Sequence, residues 1–458
     1  MFNVRKTIYK IFKAPAVGLE KTIAFGTEEE QKLVSKKPLQ IAAEYINTLG
    51  PGLTSGAADD DPSGIGTYSQ AGAQFGFQLL WLSLFTFPFM AVVQEMCARI
   101  GIVTGQGLAA NIRKYYSRRV LYVITVLLFA ANTLNIAADL GAMAASTRLL
   151  LPHISVGIIL ICFTVVMLLL QIFTTYARYA RFLKYTALAL LSYVFTAFAV
   201  HIDWATAIHS TLMPSITFSK DQIFLLCAIL GTTISPYLFF WQTSQEVEEG
   251  ILKGERTVHD RKVAVNDREV HHMQADVWTG MFVSNLVMFF IIAACAATLH
   301  ANGITNIATA DQAASAIRPF GGELTYFFFA LGVIGTGLLA VPVLAGSVAY
   351  AISEAFGWKQ GLYRKLKEAR AFYGVIIVAM VIGLLANFTH LDPIKGLIYS
   401  AVANGLIAPI ILFYVVRISS AAHIMHKYKN RIFSASCGWF ITILMIVSGL
   451  AAICSLFL

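Results

Sequence analysis

The sequence predicts an all-α membrane protein of about eleven transmembrane helices, with the N-terminus in the cytoplasm. Of the 458 residues, 57% are hydrophobic and only 13% are charged, whereas charged residues make up roughly a quarter of a soluble protein. Apolar runs long enough to cross about 30 Å of hydrocarbon recur along the whole chain. Two of these runs, five spans apart, contain helix-breaking residues, which predicts two inverted halves of five helices with helices 1 and 6 broken.

Eleven apolar runs account for most of the chain. Most of them contain few or no charged residues, as is typical of helices that cross a bilayer. In chain order, spans 1 to 11 are predicted at residues 45–73, 77–103, 120–150, 154–176, 182–201, 222–244, 276–300, 325–352, 372–388, 395–416 and 435–458.

The net charge of +9 is distributed as expected for a membrane protein. With the N-terminus inside, 29 of the 34 Lys and Arg residues lie in the N-terminal tail, the inner loops or their immediate flanks. This is the positive-inside pattern, and it supports both the number of spans and their orientation. The expected partner is therefore a lipid bilayer, that of a bacterial inner membrane, and not a nucleic acid.

Three segments follow from these spans. Residues 1–40 are predicted to be a basic cytoplasmic tail, because the basic start is not followed by the apolar core of a secretory signal. Residues 41–416 are predicted to form a ten-helix inverted-repeat core, and residues 417–458 a cytoplasmic loop with the eleventh helix. The longest inner loop, at about 245–275, carries charges of both signs, so it is expected to be a solvated helical hairpin or a flexible loop.

The first break lies in span 1, where three consecutive carboxylates, Asp59, Asp60 and Asp61, precede Pro62. Charge at bilayer depth is costly and is normally placed on an ion or substrate path. Pro62 and the glycines near it unwind the helix and free backbone carbonyls as ligands, so the break predicts a cation site. Asp59 and Asp60 are expected either to line an outer vestibule that concentrates cations or to form a solvated outer face.

The second break lies in span 6 at Gly231–Pro236, where glycine, threonine and serine precede a proline. Since five spans separate the two breaks, the two halves of the chain have opposite orientations in the membrane. Interrupted helices at matching places in inverted halves are typical of the midplane substrate site of a transporter.

Several motifs resemble the Nramp family of divalent-metal transporters. They lie at Gly50–Gly64, Gln70–Gly76, Leu79–Trp81, Gln94–Gly101, Asp139, Ser235–Pro236 and Asn404–Gly405. The resemblance implies a LeuT-type inverted five-plus-five fold, here with an added eleventh span. It also implies that a metal ion binds between the broken spans 1 and 6 and crosses the membrane by alternating access.

The sequence departs from the family pattern at the expected metal site. The usual Asp-Pro-Gly-Asn motif keeps its aspartate as Asp61, but Gly64 stands in the place of the asparagine. The usual Met-Pro-His motif has Ser235 for methionine and Tyr237 for histidine, and a second family histidine corresponds to Gln242. With these substitutions the chain resembles the divergent branch of Nramp-related magnesium transporters.

The resemblance implies a metal site with Asp61 as the main ligand and the carbonyls of Ala58 and Thr232 beside it. The predicted metal-site residues are Asp61, Ala58, Gly64, Thr232, Ser235 and Asp60. Without a methionine sulfur they offer only oxygen, which suits hard cations, and the small residues leave room for Mg²⁺ with part of its water shell. Candidate cavity or gating residues are Asp59, Tyr237, Trp241, Gln242, Asp139 and Asn404.

Proton coupling is not expected. The ten histidines fall at the ends of the spans or outside them, and proton relays in membranes need buried titratable groups. Away from the site, Asp139 and Glu95 are the only clear intramembrane acids. Glu95 is expected to pair with Arg99 one turn on, and Asp139 either to contact a neighbouring helix or to carry a proton.

The sequence therefore predicts a carrier of divalent cations without a cofactor, with Mg²⁺ favoured and Mn²⁺ second. Neither a nucleotide-binding loop nor a nucleophile triad is recognisable, so an enzyme is not expected. Three alternatives remain open: a proton-coupled Mn²⁺/Fe²⁺ symporter, a sodium-coupled organic-solute carrier of the same fold, and a metal sensor that does not transport. The oligomeric state is open, with a monomer as one option.

Overall fold

The structure, a computed structural model, describes residues 50–457 except 218, 308–309 and 390–392, and these residues form helices and connections without a β-strand. The predicted tail, residues 1–40, lies outside the described residues. The helices are α1 Pro51–Asp59, α2 Pro62–Phe75, α3 Trp81–Thr104, α4 Leu108–Tyr115, α5 Arg118–Leu150, α6 Val156–Phe173, α7 Tyr176–Thr186, α8 Leu191–Ala199, α9 Trp204–Leu212, α10 Lys220–Thr233, α11 Pro236–Leu252, α12 Val258–Ala264, α13 Asp267–Thr298, α14 Ala310–Phe356, α15 Arg370–Ala386, α16 Pro393–Ser420, α17 Ala422–Met425 and α18 Ile432–Phe457.

These helices account for the eleven predicted spans. Nine helical segments of the described chain are long and apolar enough to cross a membrane, with α7 and α8 counted as one segment and α10 and α11 as another. The shorter apolar helix α15 forms span 9, and α1 with α2 forms the broken span 1. The predicted all-helical architecture of about eleven spans is confirmed.

The two broken spans restart in the same way, at an extended residue that precedes a proline. Asp61 (φ −66°, ψ 165°) accepts a hydrogen bond at Oδ1 from the Gly64 N–H, at 2.6 Å, and so caps α2. Ser235 (φ −78°, ψ 127°) precedes Pro236, which begins α11. Proline suits the first turn of a helix, where its missing N–H needs no partner. Both predicted breaks are therefore confirmed.

The segment at about 245–275, predicted as a solvated helical hairpin or a flexible loop, is mostly helical. Helix α11 continues to Leu252, the short helix α12 follows, and α13 begins at Asp267. The helical alternative therefore fits the structure, but the segment is less solvated than predicted. Glu246 and Glu248 explain the difference, because both side chains are buried among neighbouring spans instead of facing solvent.

Glycines bring α1 and span 7 into backbone contact. A Cβ atom added to Gly56 would lie 2.3 Å from the carbonyl oxygen of Gly280, and one added to Gly280 would lie 2.1 Å from the carbonyl oxygen of Gly52. No side chain fits at such distances. The inner half of the broken span 1 is therefore packed directly against the backbone of α13.

The outer half of span 1 packs closely against span 7, and the inner half of span 6 packs closely against span 2. A Cβ atom added to Gly72 of α2 would lie 2.5 Å from the carbonyl oxygen of Ile292 in span 7. One added to Gly101 of span 2 would lie 2.4 Å from the carbonyl oxygen of Thr243 in α11. Spans 2 and 7 occupy equivalent places in the two halves, so these are equivalent contacts, and each joins one half to the other.

We expect Gly280→Ala to lower the melting temperature of the purified protein, because the new methyl group would overlap the Gly52 carbonyl. Overpacking of a close contact typically costs about 1–3 kcal/mol. Gly374→Ala is the matched control, since Gly374 also lies within a helix and an added Cβ meets no atom within 4 Å. Equal melting temperatures for the two variants would contradict the close contact between α1 and α13.

Candidate metal site

The two breaks lie side by side in the helix bundle. A Cβ atom added to Gly64 would lie 3.1 Å from Thr232 Oγ1 and 3.4 Å from Asp61 Oδ1. Beyond them, the hydroxyl groups of Tyr68 in α2 and Thr233 in α10 share a hydrogen bond of 3.2 Å. The structure therefore brings Asp61, Gly64 and Thr232 of the predicted site together, where α2 begins and α10 ends.

The two predicted carbonyl ligands also lie at the breaks. The Tyr237 hydroxyl donates a hydrogen bond to the Ala58 carbonyl oxygen at 2.7 Å, which joins the end of α1 to the first turn of α11. The Ser235 hydroxyl donates to the Thr232 carbonyl oxygen at 2.6 Å. Each carbonyl is thus paired with a hydroxyl group, and all four oxygen atoms lie where the helices are interrupted.

The three carboxylates of the first break are buried. Asp59 and Asp60 have no exposed surface, and Asp61 is 1% exposed. Asp59 Oδ2 accepts a hydrogen bond of 3.3 Å from Ser284 of span 7. The predictions of an outer vestibule or a solvated outer face for Asp59 and Asp60 are therefore wrong for this structure, because neighbouring spans cover the turn that carries them.

Several oxygen atoms at the first break are buried without a hydrogen-bond partner among the described residues. They are both carboxylate oxygens of Asp60, Oδ1 of Asp59, Oδ2 of Asp139 and the hydroxyl of Thr232. A buried polar group without a partner costs roughly 1–3 kcal/mol, and an unpaired charge costs more. This excess of acceptor oxygens over donors is an environment that a bound cation stabilises.

Asp139 of span 3 holds the same turn from a neighbouring helix. Its Oδ1 accepts a hydrogen bond from the Ser63 N–H in the first turn of α2, at 3.1 Å. The structure thus shows the helix contact that the sequence suggested for Asp139. A carboxylate beside the N-terminus of α2 also has the favourable sign for the helix dipole.

The other three candidate residues make contacts away from Asp61. Trp241 is fully buried, with its ring centroid 6.2 Å from that of Tyr350 in span 8. Gln242 Nε2 donates to Glu246 Oε1 at 2.8 Å. Asn404 of span 10 is 1% exposed, and neither atom of its amide has a partner among the described residues. No contact recorded for the described residues joins these three side chains to the first break.

Four buried acids lie outside the predicted site. They are Glu246, Glu248, Asp276 and Glu354, each 9% exposed or less. The predicted span bounds put these four acids at span ends or in inner loops, and the structure shows that their side chains are nevertheless buried in the protein. The four-residue spacing of Gln242 and Glu246 could have indicated their contact on one helix face. Apart from Gln360, which donates to Glu354 six residues away, the recorded partners of the other acids are distant in the sequence, and no local pattern indicates them.

These acids tie the inner ends of the broken spans to their neighbours. Both oxygens of Asp276 in span 7 accept hydrogen bonds from the start of α1, from Gly52 N at 2.7 Å and from Leu53 N at 3.1 Å. Glu248 of α11 accepts a hydrogen bond of 2.6 Å from the Tyr350 hydroxyl of span 8. In this structure the inner halves of spans 1 and 6 are therefore both fastened to the surrounding helices.

The breaks do not contain a ready-made cluster of strong ligands. Among the described residues, no three His, Cys, Asp or Glu side chains converge on one point. A cation at the breaks would therefore be held by one or two carboxylates together with hydroxyl, carbonyl and water oxygens. Mg²⁺ is typically bound in this way, because it keeps several waters.

Two interrupted helices in inverted halves, meeting at a buried acidic turn, define the LeuT-type class of membrane carriers. Residues 52–455 match the family model described as Nramp, natural resistance-associated macrophage protein-like, and the chain belongs to this family. The resemblance carried by the motifs of spans 1 and 2 is thereby confirmed. The family is one of transporters and not of enzymes, as predicted.

Relatives and solved structures agree with this assignment. A relative from Aeromonas hydrophila, named divalent metal cation transporter MntH, is 26% identical over 415 residues, or 88% of this chain and 94% of the relative. A solved structure of the Eremococcus coleocola manganese transporter is similar with a TM-score of 0.68 at 18% identity, covering 91% of this chain and 87% of that chain. Mhp1, a nucleobase-cation-symport-1 family transporter, has a TM-score of 0.55 at 15% identity, covering 88% of this chain and 90% of that one. The LeuT-type fold and the location in a bacterial inner membrane are therefore confirmed.

We expect Tyr237→Phe to lower the melting temperature, because it leaves the buried Ala58 carbonyl without its hydroxyl donor. A buried acceptor that loses its partner typically costs about 1–3 kcal/mol. Tyr185→Phe is a suitable control, since Tyr185 is 67% exposed and no hydrogen bond of its hydroxyl to a described residue is recorded. A melting temperature for Tyr237→Phe equal to that of the control would mean that the Tyr237–Ala58 bond does not hold α1 to α11.

Proposed function

We propose that this protein carries divalent metal cations across the membrane by alternating access, with Mg²⁺ as the favoured substrate and Mn²⁺ as the second. The observation that carries the proposal is the set of buried, unpartnered carboxylate oxygens of Asp59, Asp60 and Asp139 around the turn that Asp61 begins. The MntH relatives are named as divalent metal cation transporters, which supports a divalent cation as the cargo.

The donor atoms at the breaks favour a hard cation. Ser235 stands where the family pattern has a methionine, and its hydroxyl lies 2.6 Å from the Thr232 carbonyl oxygen. Thioether sulfur favours transition metals, whereas carboxylate, carbonyl and water oxygens suit Mg²⁺ and Mn²⁺. At Gly64, a side chain would press on Thr232 and Asp61, so its absence leaves room for an ion that keeps part of its water shell.

The proposed transport is not coupled to protons. Tyr237 replaces the histidine of the family motif, and its hydroxyl donates to Ala58. A phenol has an ordinary pKa near 10 and does not exchange protons readily at neutral pH, unlike a histidine. The membrane potential alone contributes about 2.3 kcal/mol per charge per 100 mV, or about twice that for a divalent ion, which is sufficient to drive uptake.

Uptake into proteoliposomes separates this proposal from the alternatives. We expect Mg²⁺ and Mn²⁺ to enter when the interior is negative, without sodium and without a change in internal pH. Acidification of the interior together with metal entry would support a proton-coupled Mn²⁺/Fe²⁺ symporter instead. Sodium-dependent entry of an organic solute would support the solute carrier, and metal binding without any flux would support the sensor.

We expect Asp61→Asn to abolish Mg²⁺ uptake, because the substitution removes the carboxylate charge at the break while an amide oxygen can still cap α2. Mg²⁺ binding by isothermal titration should weaken at least about tenfold, as expected when one charged ligand is lost. Asp203→Asn is the control, since Asp203 caps the exposed helix α9. Normal uptake by Asp61→Asn would show that Asp61 is not the main ligand.

We expect Ser235→Met to shift the selectivity from Mg²⁺ towards Mn²⁺ and Cd²⁺, because a thioether favours softer ions. Ser235→Leu is the matched control, similar in volume but without sulfur. The ratio of Cd²⁺ to Mg²⁺ binding should rise in the methionine variant and not in the leucine variant. An equal change in both variants would attribute the effect to the size of the side chain and contradict the role assigned to donor softness.

A further inference from the structure

A polar cavity lies at the inner ends of spans 2, 7 and 11, apart from the two breaks. Its volume is about 530 Å³. Arg99 and Glu95 of span 2 form one wall, Trp278 of span 7 another, and Arg431 and Ser434 at the start of span 11 a third. The proposed transport of a cation uses none of these residues.

Arg99 is the buried charge of this cavity. It is 7% exposed, its Nη1 lies 3.4 Å from Glu95 Oε1, and its Nη2 donates to Asn430 Oδ1. This confirms the pair predicted between Glu95 and Arg99. The third guanidinium nitrogen, Nε, is buried without a partner among the described residues. Arg99 thus lines the cavity with one guanidinium N–H that the described residues do not satisfy.

Glu95 also bonds to span 7, so its two oxygens have several partners. Its Oε1 accepts a hydrogen bond of 3.0 Å from Gln274, and its Oε2 accepts one of 3.1 Å from the Trp278 indole. Both donors belong to span 7, so the carboxylate joins spans 2 and 7 as well as pairing with Arg99. The unpartnered Nε of Arg99 is thus left for an acceptor outside this network.

The lining of the cavity is positive overall. Its cationic residues are Arg99, Lys427, Lys429 and Arg431, and its carboxylates are Glu95 and Asp267. Lys427 Nζ donates to Asp267 at 2.8 Å, and this hydrogen bond raises the pKa of Lys427, so the pair stays ionic at neutral pH. No ion pair is recorded between Lys429 or Arg431 and any described carboxylate. Two cations therefore remain beside Arg99 for an anionic ligand.

The start of span 11 adds backbone donors to the same cavity. Helix α18 begins at Ile432, and Phe433 and Ser434 in its first turn line the cavity. The first N–H groups of a helix have no acceptor within the helix, and together with the helix dipole they favour phosphate groups. Arginine also matches the geometry of phosphate oxygens. A buried guanidinium, a helix N-terminus and free cationic side chains thus face one space.

We propose that this cavity binds the phosphate group of an anionic ligand. Such a group is carried either by an anionic phospholipid of the inner leaflet or by a soluble phosphate compound. Exposed apolar residues beside the cavity favour the phospholipid. Phe433 is 69% and Ile432 is 88% exposed, and both lie at the end of an apolar span, where acyl chains meet headgroups. The bound ligand would connect span 11 to spans 2 and 7.

Native mass spectrometry of the purified full-length protein tests the proposal. We expect phosphatidylglycerol to bind at least about fivefold more tightly than phosphatidylcholine, and added salt to weaken this preference. Glycerol phosphate and inorganic phosphate, tested as competitors, separate the two sources of phosphate. If these phosphates displace phosphatidylglycerol at millimolar concentration, the natural ligand is a soluble phosphate compound. If the lipid binds and they do not displace it, the ligand is a phospholipid headgroup. Failure of both the lipid and the soluble phosphates to bind would overturn the proposal.

The variant Arg431→Gln tests whether the phosphate group binds in this cavity. Arg431 is exposed, so the variant should fold, and we expect it to lose most of the preference for phosphatidylglycerol or phosphate. Arg118→Gln is the matched control, because Arg118 is also an exposed arginine at the inner start of a span. Arg99→Gln, if its melting temperature is normal, should have the same effect as Arg431→Gln. Equal binding by Arg431→Gln and Arg118→Gln would place the ligand elsewhere and overturn the proposal.

Discussion

A carboxylate can lie in the middle of an apolar helix bundle only where the surrounding backbone stabilises it, and the turn at Asp61 meets this condition. Asp61 accepts the Gly64 N–H at 2.6 Å, so its charge lies at the positive end of α2. Pro62 starts that helix without an N–H that would need a partner. The break in span 1, the burial of the neighbouring carboxylates and the place of α10 beside them all depend on this turn.

An interrupted helix also needs close neighbours, because its free backbone groups cannot be hydrated at this depth. Glycines supply this proximity: Gly56 and Gly280 bring α1 against span 7, and Gly101 brings α11 against span 2. Hydroxyl groups satisfy the remaining carbonyls, as Tyr237 does for Ala58. Tyr237, which stands where the family pattern has a histidine, therefore also holds the two breaks together.

Composition, the positive-inside distribution and the two proline-containing breaks were sufficient to predict the spans, their order and the position of Asp61. Each of these features can be recognised in the sequence without knowing which distant residues contact each other in the fold. The burial of Asp59 and Asp60 depends on how spans 3 and 7 cover the turn, and no local pattern shows this. Glu248 is a second example. The charged residues next to it in the sequence suggest a solvated loop, but its side chain accepts a hydrogen bond from Tyr350, which is 102 residues away.

Asp276 holds the inner half of the broken span 1 against span 7. Its carboxylate accepts two backbone N–H groups at the start of α1, and hydrogen bonds to a charged group contribute about 1.5–3 kcal/mol each. Any movement of α1 away from span 7 breaks both bonds. Separating α1 from span 7 therefore costs the free energy of both bonds, which makes Asp276 a fastening that the inner half of span 1 must release before it can move.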